Sequence, residues 1–167
     1  MAGKENNNNK PFVFIENNCA KISNNLDSFN KLLHDRTPSV FTLQETKRKK
    51  DDPPMKTDNL NNYQVFELKR EIEKKDGGKG LAGGGLAVGA LYELDPVLTR
   101  IGNDEVECLS INIEVGREKF KYVSGYGTQL IDSNDRKHKF RKYLEEEVNL
   151  AEQNNEGIII KIDSNAF

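Results

Sequence analysis

The sequence predicts an α/β (α+β) fold of about eight strands and two principal helices, with mostly antiparallel pairing. Apolar residues alternate strictly with polar residues over 109–115, which is the two-residue period of a half-buried strand. Over residues 136–154 the apolar residues instead recur every three to four positions, as in an amphipathic helix. Further apolar runs lie between turn-forming residues, and a chain of 167 residues makes one domain or a large piece of one.

The first part of the chain has the pattern strand, helix, strand. Residues 12–15 are predicted to form a short buried strand, after a polar tail over residues 1–10 that we expect to be disordered. Ser23 is a candidate cap for a helix over residues 24–35, and the apolar residues 40–43 form the second strand. This spacing predicts a crossover unit, the connection that joins two parallel strands.

The rest of the chain consists mainly of predicted strands. A charged loop over residues 47–59 and a charged, glycine-rich segment over residues 69–80, which we expect to be mobile, separate the earlier strands. The predicted strands of this part cover residues 63–68, 85–92, 109–115, 120–126 and 158–162. The second helix, over residues 136–154, precedes the last of these strands, which we expect to lie in the centre of its sheet.

Composition and charge exclude several classes of protein. The formal net charge is −2, so any contact with nucleic acid requires a local basic patch. Cys19 and Cys108 lack the spacing of a metal site and are expected to be free thiols, which favours an intracellular protein of the cytoplasm or nucleus. No apolar run approaches the ~20 residues that cross a membrane, so we expect no membrane partner.

The glycine-rich run over residues 77–85 is the first candidate for a ligand site. A phosphate-binding loop requires GxxxxGK followed by Ser or Thr, or GxGxxG between a strand and a helix, and neither pattern is present. We therefore expect no nucleotide cofactor, and a flexible connection into a tightly packed strand explains the run. His34 and His138 are both expected on helix surfaces, and no arrangement with a Ser or Cys nucleophile is visible.

Two acidic residues follow predicted strands directly. Glu45 follows the second strand, and Asp163 follows the last one. Carboxylate and amide groups held together at strand ends suit a hard cation and a phosphate. The basic run 47–50 follows Glu45 and is placed to steer a phosphate backbone, although a solvated loop explains it equally well. A second basic run, over residues 136–142, is explained by a solvated helix face.

Five motifs, in their order along the chain, resemble those of the endonuclease/exonuclease/phosphatase superfamily. The similarity is to abasic-site endonucleases and above all to the endonuclease domains of non-LTR retroelements. It covers about residues 11–167 and implies a partial four-layer α/β/β/α sandwich with mostly antiparallel or mixed sheets. The motifs are Asn18, Leu-Gln-Glu-Thr-Lys at 43–47, Gly-Gly-Gly-Leu-Ala at 83–87, Tyr-Gly-x-Gln at 126–129 and Ile-Asp-x-Asn-Ala at 162–166.

The resemblance implies a role for each matching residue. Glu45 would bind Mg²⁺ or Mn²⁺, since a carboxylate oxygen suits a hard cation. Asn18, or Asn17 if the register differs by one residue, would lie beside the metal and the phosphate. Tyr126 would contact the scissile phosphate through its hydroxyl group, and Asp163 would orient or deprotonate the attacking water.

Four more residues complete the predicted interface. Asn165 would hydrogen-bond the phosphate and stabilise the charge that develops in the transition state. Lys47, Arg48 and Lys49 are candidate contacts to nucleic acid. The resemblance thus predicts a metal-dependent phosphodiesterase, and first of all an endonuclease that cleaves a nucleic-acid backbone.

The chain also departs from the pattern of this superfamily. Lys21 lies near a position where a small residue is common, and Thr128 stands where Pro is common. The second half of the family domain carries a further Asp and a Ser-Asp-His sequence that this chain lacks. The resemblance therefore implies that residues 11–167 are an N-terminal part without its C-terminal part, with little hydrolysis by this chain alone. The alternatives are a non-catalytic remnant that binds nucleic acid or a protein partner, and a phosphatase of the same superfamily.

Overall fold

The computed structural model describes residues 11–56, 58–70, 84–103, 105–127 and 134–163. These residues form eight β-strands and two α-helices, in agreement with the numbers that the sequence predicts. In chain order the elements are β1 (Phe14–Asn18), α1 (Ile22–Arg36), β2 (Val40–Gln44), β3 (Tyr63–Leu68), β4 (Leu86–Leu91), β5 (Val97–Ile101), β6 (Cys108–Val115), β7 (Glu118–Tyr126), α2 (Asn134–Gln153) and β8 (Gly157–Asp163), with 3-10 turns at Asp58–Asn62 and Tyr92–Leu94.

The strands form two four-stranded sheets of mixed pairing. The first sheet has the order β1-β2-β4-β3 and the second has the order β5-β6-β7-β8. Each sheet contains one parallel pair, β1 with β2 and β7 with β8, and a helix connects the two strands of each pair. The other neighbouring strands are antiparallel. The predicted crossover unit is therefore present in the first sheet, and a second one lies in the other sheet.

Clusters of buried apolar side chains define four layers. Helix α1 covers one face of the first sheet, where Phe29 packs edge-on against Phe41 with 5.1 Å between ring centroids. The opposite face of that sheet packs against the second sheet. Helix α2 covers the outer face of the second sheet through Phe140 and Tyr143. The chain therefore has the α/β/β/α layering that the resemblance implies.

The alternation in β6 decides which layer each of its side chains faces. Leu109, Ile111 and Ile113 are buried between the two sheets, because every second residue of a strand points to the same face. Cys108 and Ser110 face α2 instead, where the Ser110 hydroxyl hydrogen-bonds that of a tyrosine in the helix. Burial raises the pKa of the Cys108 thiol to about 12, so this free cysteine is a packed, weakly nucleophilic side chain.

A buried ion cluster lies beneath α2. The Glu147 carboxylate is paired with Lys121 at 3.4 Å and with Arg100 at 3.2 Å. The Arg100 guanidinium also lies 4.0 Å from the centre of the Tyr143 ring, a cation–π contact. Arg100 also pairs with the more exposed Glu146 at 2.8 Å, so two cations compensate two carboxylates, of which Glu147 is the buried one. No helix of the described residues has the length and apolarity that crossing a membrane requires.

Three elements differ from the sequence prediction. Strand β5 is not predicted, because Pro96 precedes it and most of its residues are exposed. Helix α1 begins at Ile22, so Ser23 lies within its first turn and no side chain caps it. The expected central strand, β8, pairs only with β7 among the described residues and lies at the sheet edge, where Ile160 is 38% exposed. Its apolar run instead reflects partial burial on both faces, where Ile158 and Ile162 pack beneath α2 and Ile159 packs between the sheets.

A buried hydrogen bond joins the two sheets, and its loss should be measurable. The hydroxyl groups of Thr42 and Tyr122 lie 2.8 Å apart, and both residues are fully buried. We expect Tyr122→Phe to lower the free energy of unfolding by about 1–3 kcal/mol, because the Thr42 hydroxyl is left without a partner. Urea unfolding of Tyr122→Phe, Thr42→Val and the double variant tests this. The interaction is refuted if the double variant loses the full sum of the two single losses.

Candidate metal and phosphate site

The candidate site lies where four strands end. Asn18 is the last residue of β1 and pairs in register with Gln44, the last residue of β2, so that Glu45 follows directly. Tyr126 and Asp163 are the paired last residues of β7 and β8. Parallel strands end at the same edge of a sheet, so each parallel pair brings two of the predicted residues together.

Side-chain hydrogen bonds connect the four strand ends across the two sheets. The Asn18 amide nitrogen Nδ2 donates to Glu45 Oε1 at 3.1 Å and to Asp163 Oδ2 at 3.0 Å. The Tyr126 hydroxyl group donates to the same Oε1 atom at 2.8 Å. The structure thus brings together four of the five residues predicted for catalysis and metal binding. The fifth, Asn165, lies outside the described residues.

The amide orientation of Asn18 follows from its partners. Its oxygen Oδ1 accepts a hydrogen bond from the backbone N–H of Ala20 at 3.2 Å. A backbone N–H can only donate and an ionised carboxylate can only accept, so the amide oxygen must face Ala20 and the amide nitrogen must face the carboxylates. Asn17, the alternative for this position, lies on the opposite face of β1 because side chains alternate along a strand. Asn18 is therefore the asparagine at this site. In this arrangement it bridges the two carboxylates, and its oxygen keeps one lone pair for a further ligand.

The surroundings of Glu45 favour its ionised form. The pKa of Glu45 is lowered chiefly by the hydrogen bond from Asn18, and also by the Tyr126 hydroxyl group and the charge of Lys47, while burial opposes the shift. The Lys47 ammonium lies 4.0 Å from Glu45 Oε2. Glu45 is therefore an anion at neutral pH, as a ligand for a hard cation must be.

Backbone strain is concentrated around the same residue. Glu45, Lys47 and Ala20 have φ angles of 53°, 51° and 48°, a left-handed conformation that residues other than glycine rarely adopt. Backbone hydrogen bonds hold this conformation, with the Thr46 N–H donating to Gly85 at 3.2 Å. Strain of this kind persists only where the surrounding structure enforces it, and it clusters at functional sites.

The described end of the glycine run packs against this strained segment. Gly84 and Gly85 have φ angles of 85° and 90°. The Gly84 carbonyl accepts the N–H of Lys47 at 3.0 Å, and a Cβ atom on Gly85 would lie 2.5 Å from the Thr46 hydroxyl oxygen. These two glycines therefore permit a close approach of two backbone segments. The rest of the run, up to residue 83, lies outside the described residues.

The donor atoms at this edge fit Mg²⁺ or Mn²⁺. Glu45 and Asp163 supply carboxylate oxygens, and the Asn18 amide oxygen is a further hard donor. Mg²⁺ is bound in proteins by one or two carboxylates and retains several waters. The described residues contain no group of three or more His, Cys, Asp and Glu that could hold a metal by themselves. Water or substrate oxygens would therefore complete the coordination of any cation here.

The three predicted nucleic-acid contacts differ in their surroundings. Lys47 lies beside Glu45, at the site itself. Arg48 is engaged within the fold, where its Nε donates to Glu67 at 2.6 Å and its guanidinium group also donates to the carbonyl oxygen of Pro53. Lys49 is exposed, and its backbone forms an isolated bridge with residue 70. Of the three, Lys47 contacts the site and Lys49 is exposed, whereas Arg48 is paired within the fold.

One charged residue behind the site was not predicted. Glu107 is buried and accepts the N–H of Gly85 at 3.1 Å. The available signal was an acidic residue flanked by apolar ones, directly before a regularly alternating strand. A carboxylate in such a run cannot be solvated and needs buried partners, which a local sequence pattern does not reveal.

Comparisons with known proteins give structural neighbours. No protein-family model and no curated protein matches the chain. The 3′ phosphatase NExo from Neisseria, bound to a product DNA hairpin, matches with a TM-score of 0.63 and 18% identity, over 93% of this chain and 58% of that chain. The endonuclease domain of TRAS1, a telomere-specific non-LTR retrotransposon, matches with a TM-score of 0.57 and 15% identity, over 94% of this chain and 60% of that chain. D. rerio TDP2, complexed with a single strand DNA product, matches with a TM-score of 0.59 and 13% identity, over 92% of this chain and 60% of that chain.

These neighbours identify the fold class. The chain has the fold of the endonuclease/exonuclease/phosphatase superfamily, the group that its sequence motifs resemble. With 13% to 18% identity, the fold is what these chains share with it. The chain spans 58% to 60% of the length of these three neighbours.

The bridging amide makes a testable prediction about the charge state of Glu45. We expect the pKa of Glu45 to lie below its ordinary value of 4.5 and to rise in Asn18→Ala, because the largest stabilising contact of the carboxylate is lost. A lowered native pKa contributes stability above the unfolded-state pKa, and this stability is lost as the pH falls through the native pKa. Asn18→Ala should therefore lose less stability on acidification.

Carbon-detected NMR titration of the glutamate carboxyl groups, without added metal, measures this pKa. Urea unfolding from neutral pH down to about pH 3 measures the stability. Asn17→Ala is the matched control, because that neighbouring asparagine lies on the other face of the strand. An unchanged Glu45 pKa in Asn18→Ala would show that the bridge does not control this carboxylate.

Proposed function

We propose that this chain carries the metal- and phosphate-binding edge of a Mg²⁺- or Mn²⁺-dependent phosphodiesterase that cleaves a nucleic-acid backbone as an endonuclease. The observation that supports this most directly is the convergence of Glu45, Asp163, Asn18 and Tyr126 at one edge of the sandwich. Two carboxylates, an amide and a phenol suit a hard cation together with a phosphate. Two structural neighbours were solved with DNA products, which favours nucleic acid as the substrate class.

Each residue of the site has a separate task in this proposal. A bound cation would be held by Glu45, with Asn18 beside it, and would supply Lewis-acid stabilisation of the phosphate charge. Tyr126 would redirect its single hydroxyl hydrogen from Glu45 Oε1 to a phosphate oxygen when a cation binds that carboxylate. Asp163 orients the attacking water and accepts its proton, which requires it to be ionised. Asn165, beyond the described residues, donates to the phosphate as its charge grows.

The contact with nucleic acid would be local and independent of sequence. The net charge of −2 provides no general attraction for a polyanion, so the backbone must be recognised by cations beside the site. Lys47 is exposed beside Glu45, and Lys49 is exposed two residues further along the chain, whereas Arg48 is paired with Glu67. Such contacts position a phosphate backbone and do not distinguish bases.

The metal site is the part of this proposal that the chain itself can test. We expect the chain to bind Mn²⁺, and Glu45→Gln to weaken this binding by at least about tenfold, because the central carboxylate ligand is removed. Isothermal titration calorimetry measures the affinity. Glu114→Gln is the matched control, since that glutamate is half-exposed on β6 and pairs with Lys119 away from the site.

A phosphodiesterase assay on single- and double-stranded DNA with Mg²⁺ tests the activity, in this chain and in any longer form that contains it. Cleavage should require the metal and be abolished in Glu45→Gln but retained in Glu114→Gln. The proposal is wrong if the wild-type chain binds no Mn²⁺, or if Glu45→Gln binds it as tightly as the wild type. Metal binding without cleavage in every form would instead favour a non-catalytic domain.

A further inference from the structure

A buried carboxylate behind the candidate site contacts both sheets. Glu107 directly precedes β6 and is 1% exposed. Its side-chain oxygen Oε2 accepts the N–H of Gly85, which precedes β4 in the first sheet, at 3.1 Å. Its backbone carbonyl accepts the N–H of Tyr126, at the end of β7 in the second sheet, at 2.8 Å. One residue therefore holds backbone groups of both sheets at the edge where the site lies.

The first of these contacts leads to the backbone of Glu45. The carbonyl of Gly85, whose N–H is bound by Glu107, accepts the N–H of Thr46 at 3.2 Å. Thr46 directly follows Glu45, whose left-handed φ of 53° must be enforced by its surroundings. By fixing the Gly85 peptide, Glu107 fixes the partner that holds this strained turn.

The second contact connects Glu107 to the Glu45 carboxylate through Tyr126 in the second sheet. The backbone of Tyr126 is held by Glu107, and the hydroxyl group of Tyr126 donates to Glu45 Oε1 at 2.8 Å. The hydrogen bonds and the chain thus form a closed circuit through Glu107, Gly85, Thr46, Glu45 and Tyr126. A group that is held from two directions in this way cannot shift without breaking one of the bonds.

Two arginines from other elements compensate the charge of Glu107. The Arg70 guanidinium forms an ion pair with Oε1, and Arg136 of α2 lies 3.8 Å from the same oxygen. Gly84 provides the space for the first of these, since a Cβ atom there would overlap the Arg70 guanidinium. A carboxylate this deeply buried is tolerated only with paired charges and hydrogen bonds, and the fold supplies both.

From these contacts we propose that Glu107 is a positioning residue, which fixes the Glu45 carboxylate and the Tyr126 hydroxyl group relative to each other across the two sheets. This inference rests on the proposed function, because it assigns to Glu107 the support of a metal ligand. Glu107 is assigned no contact of its own with a metal or a phosphate, because its carboxylate is buried beside Gly85, Arg70 and Arg136. Its removal should therefore loosen the site and weaken metal binding while the sandwich remains folded.

Glu107→Gln tests this, because it keeps the size of the side chain and removes the charge that faces the arginines. Hydrogen exchange of the Gly85 and Thr46 amides should accelerate by at least about tenfold relative to amides within β6, whereas the Tyr126 amide keeps its partner, the backbone carbonyl of residue 107. Mn²⁺ affinity should fall by about 10- to 100-fold, the range for partners that orient a metal ligand. The matched control is Glu147→Gln, which removes another fully buried, doubly paired carboxylate, beneath α2. This control should lower stability but leave both site readouts unchanged.

Arg136→Gln serves as the second variant if Glu107→Gln does not fold. It removes the more distant cation, and smaller changes of the same sign are expected. Unchanged exchange at these amides, or equal changes in Glu147→Gln, overturns the inference. Accelerated exchange with an unchanged Mn²⁺ affinity also overturns the inference. If the wild-type chain binds no Mn²⁺, the proposed function fails, and the exchange measurement alone then decides whether Glu107 holds the two groups together.

Discussion

Parallel pairing at one side of each sheet is the constraint on which the candidate site depends. Two parallel strands cannot be joined by a tight turn, so α1 and α2 must carry the chain back across the sheet before β2 and β8 begin. Each pair then ends at the same edge. The two sheets pack face to face with these edges together, and four strand ends therefore lie within hydrogen-bonding distance. The site is thus a consequence of topology before any particular side chain is considered.

Strong periodicity made much of the fold predictable, while weak or exposed elements escaped prediction. Strand β6 has strict alternation, and α2 has a clear apolar stripe, so both were predicted from local pattern alone. Strand β5 has no such pattern, because its pairing with β6 supplies the stability that its exposed side chains do not. Strand β8 is apolar on both faces, and the sequence cannot say whether a neighbour lies on each side.

The residues of the candidate site likewise divide into those that a local sequence pattern predicts and those that only the packed structure brings together. Glu45 and Asp163 were recognisable because each follows a buried strand and lies in a short motif, and parallel topology brings them together. The support behind them was not recognisable. Glu107, Gly85 and Arg70 come from separate segments, and their contacts exist only once both sheets are packed. Local sequence determines where polar side chains can be presented, whereas long-range packing determines what holds them there.

The distribution of charge explains how an edge with two carboxylates can be stable. Asn18 and Tyr126 donate hydrogen bonds to the carboxylates, which offsets their mutual repulsion without adding positive charge. The nearby arginines, Arg70 and Arg136, face Glu107 behind the site, so much of their charge is compensated there. Two neutral donors and one nearby lysine, Lys47 at 4.0 Å from Glu45 Oε2, therefore stabilise the two carboxylates of this edge.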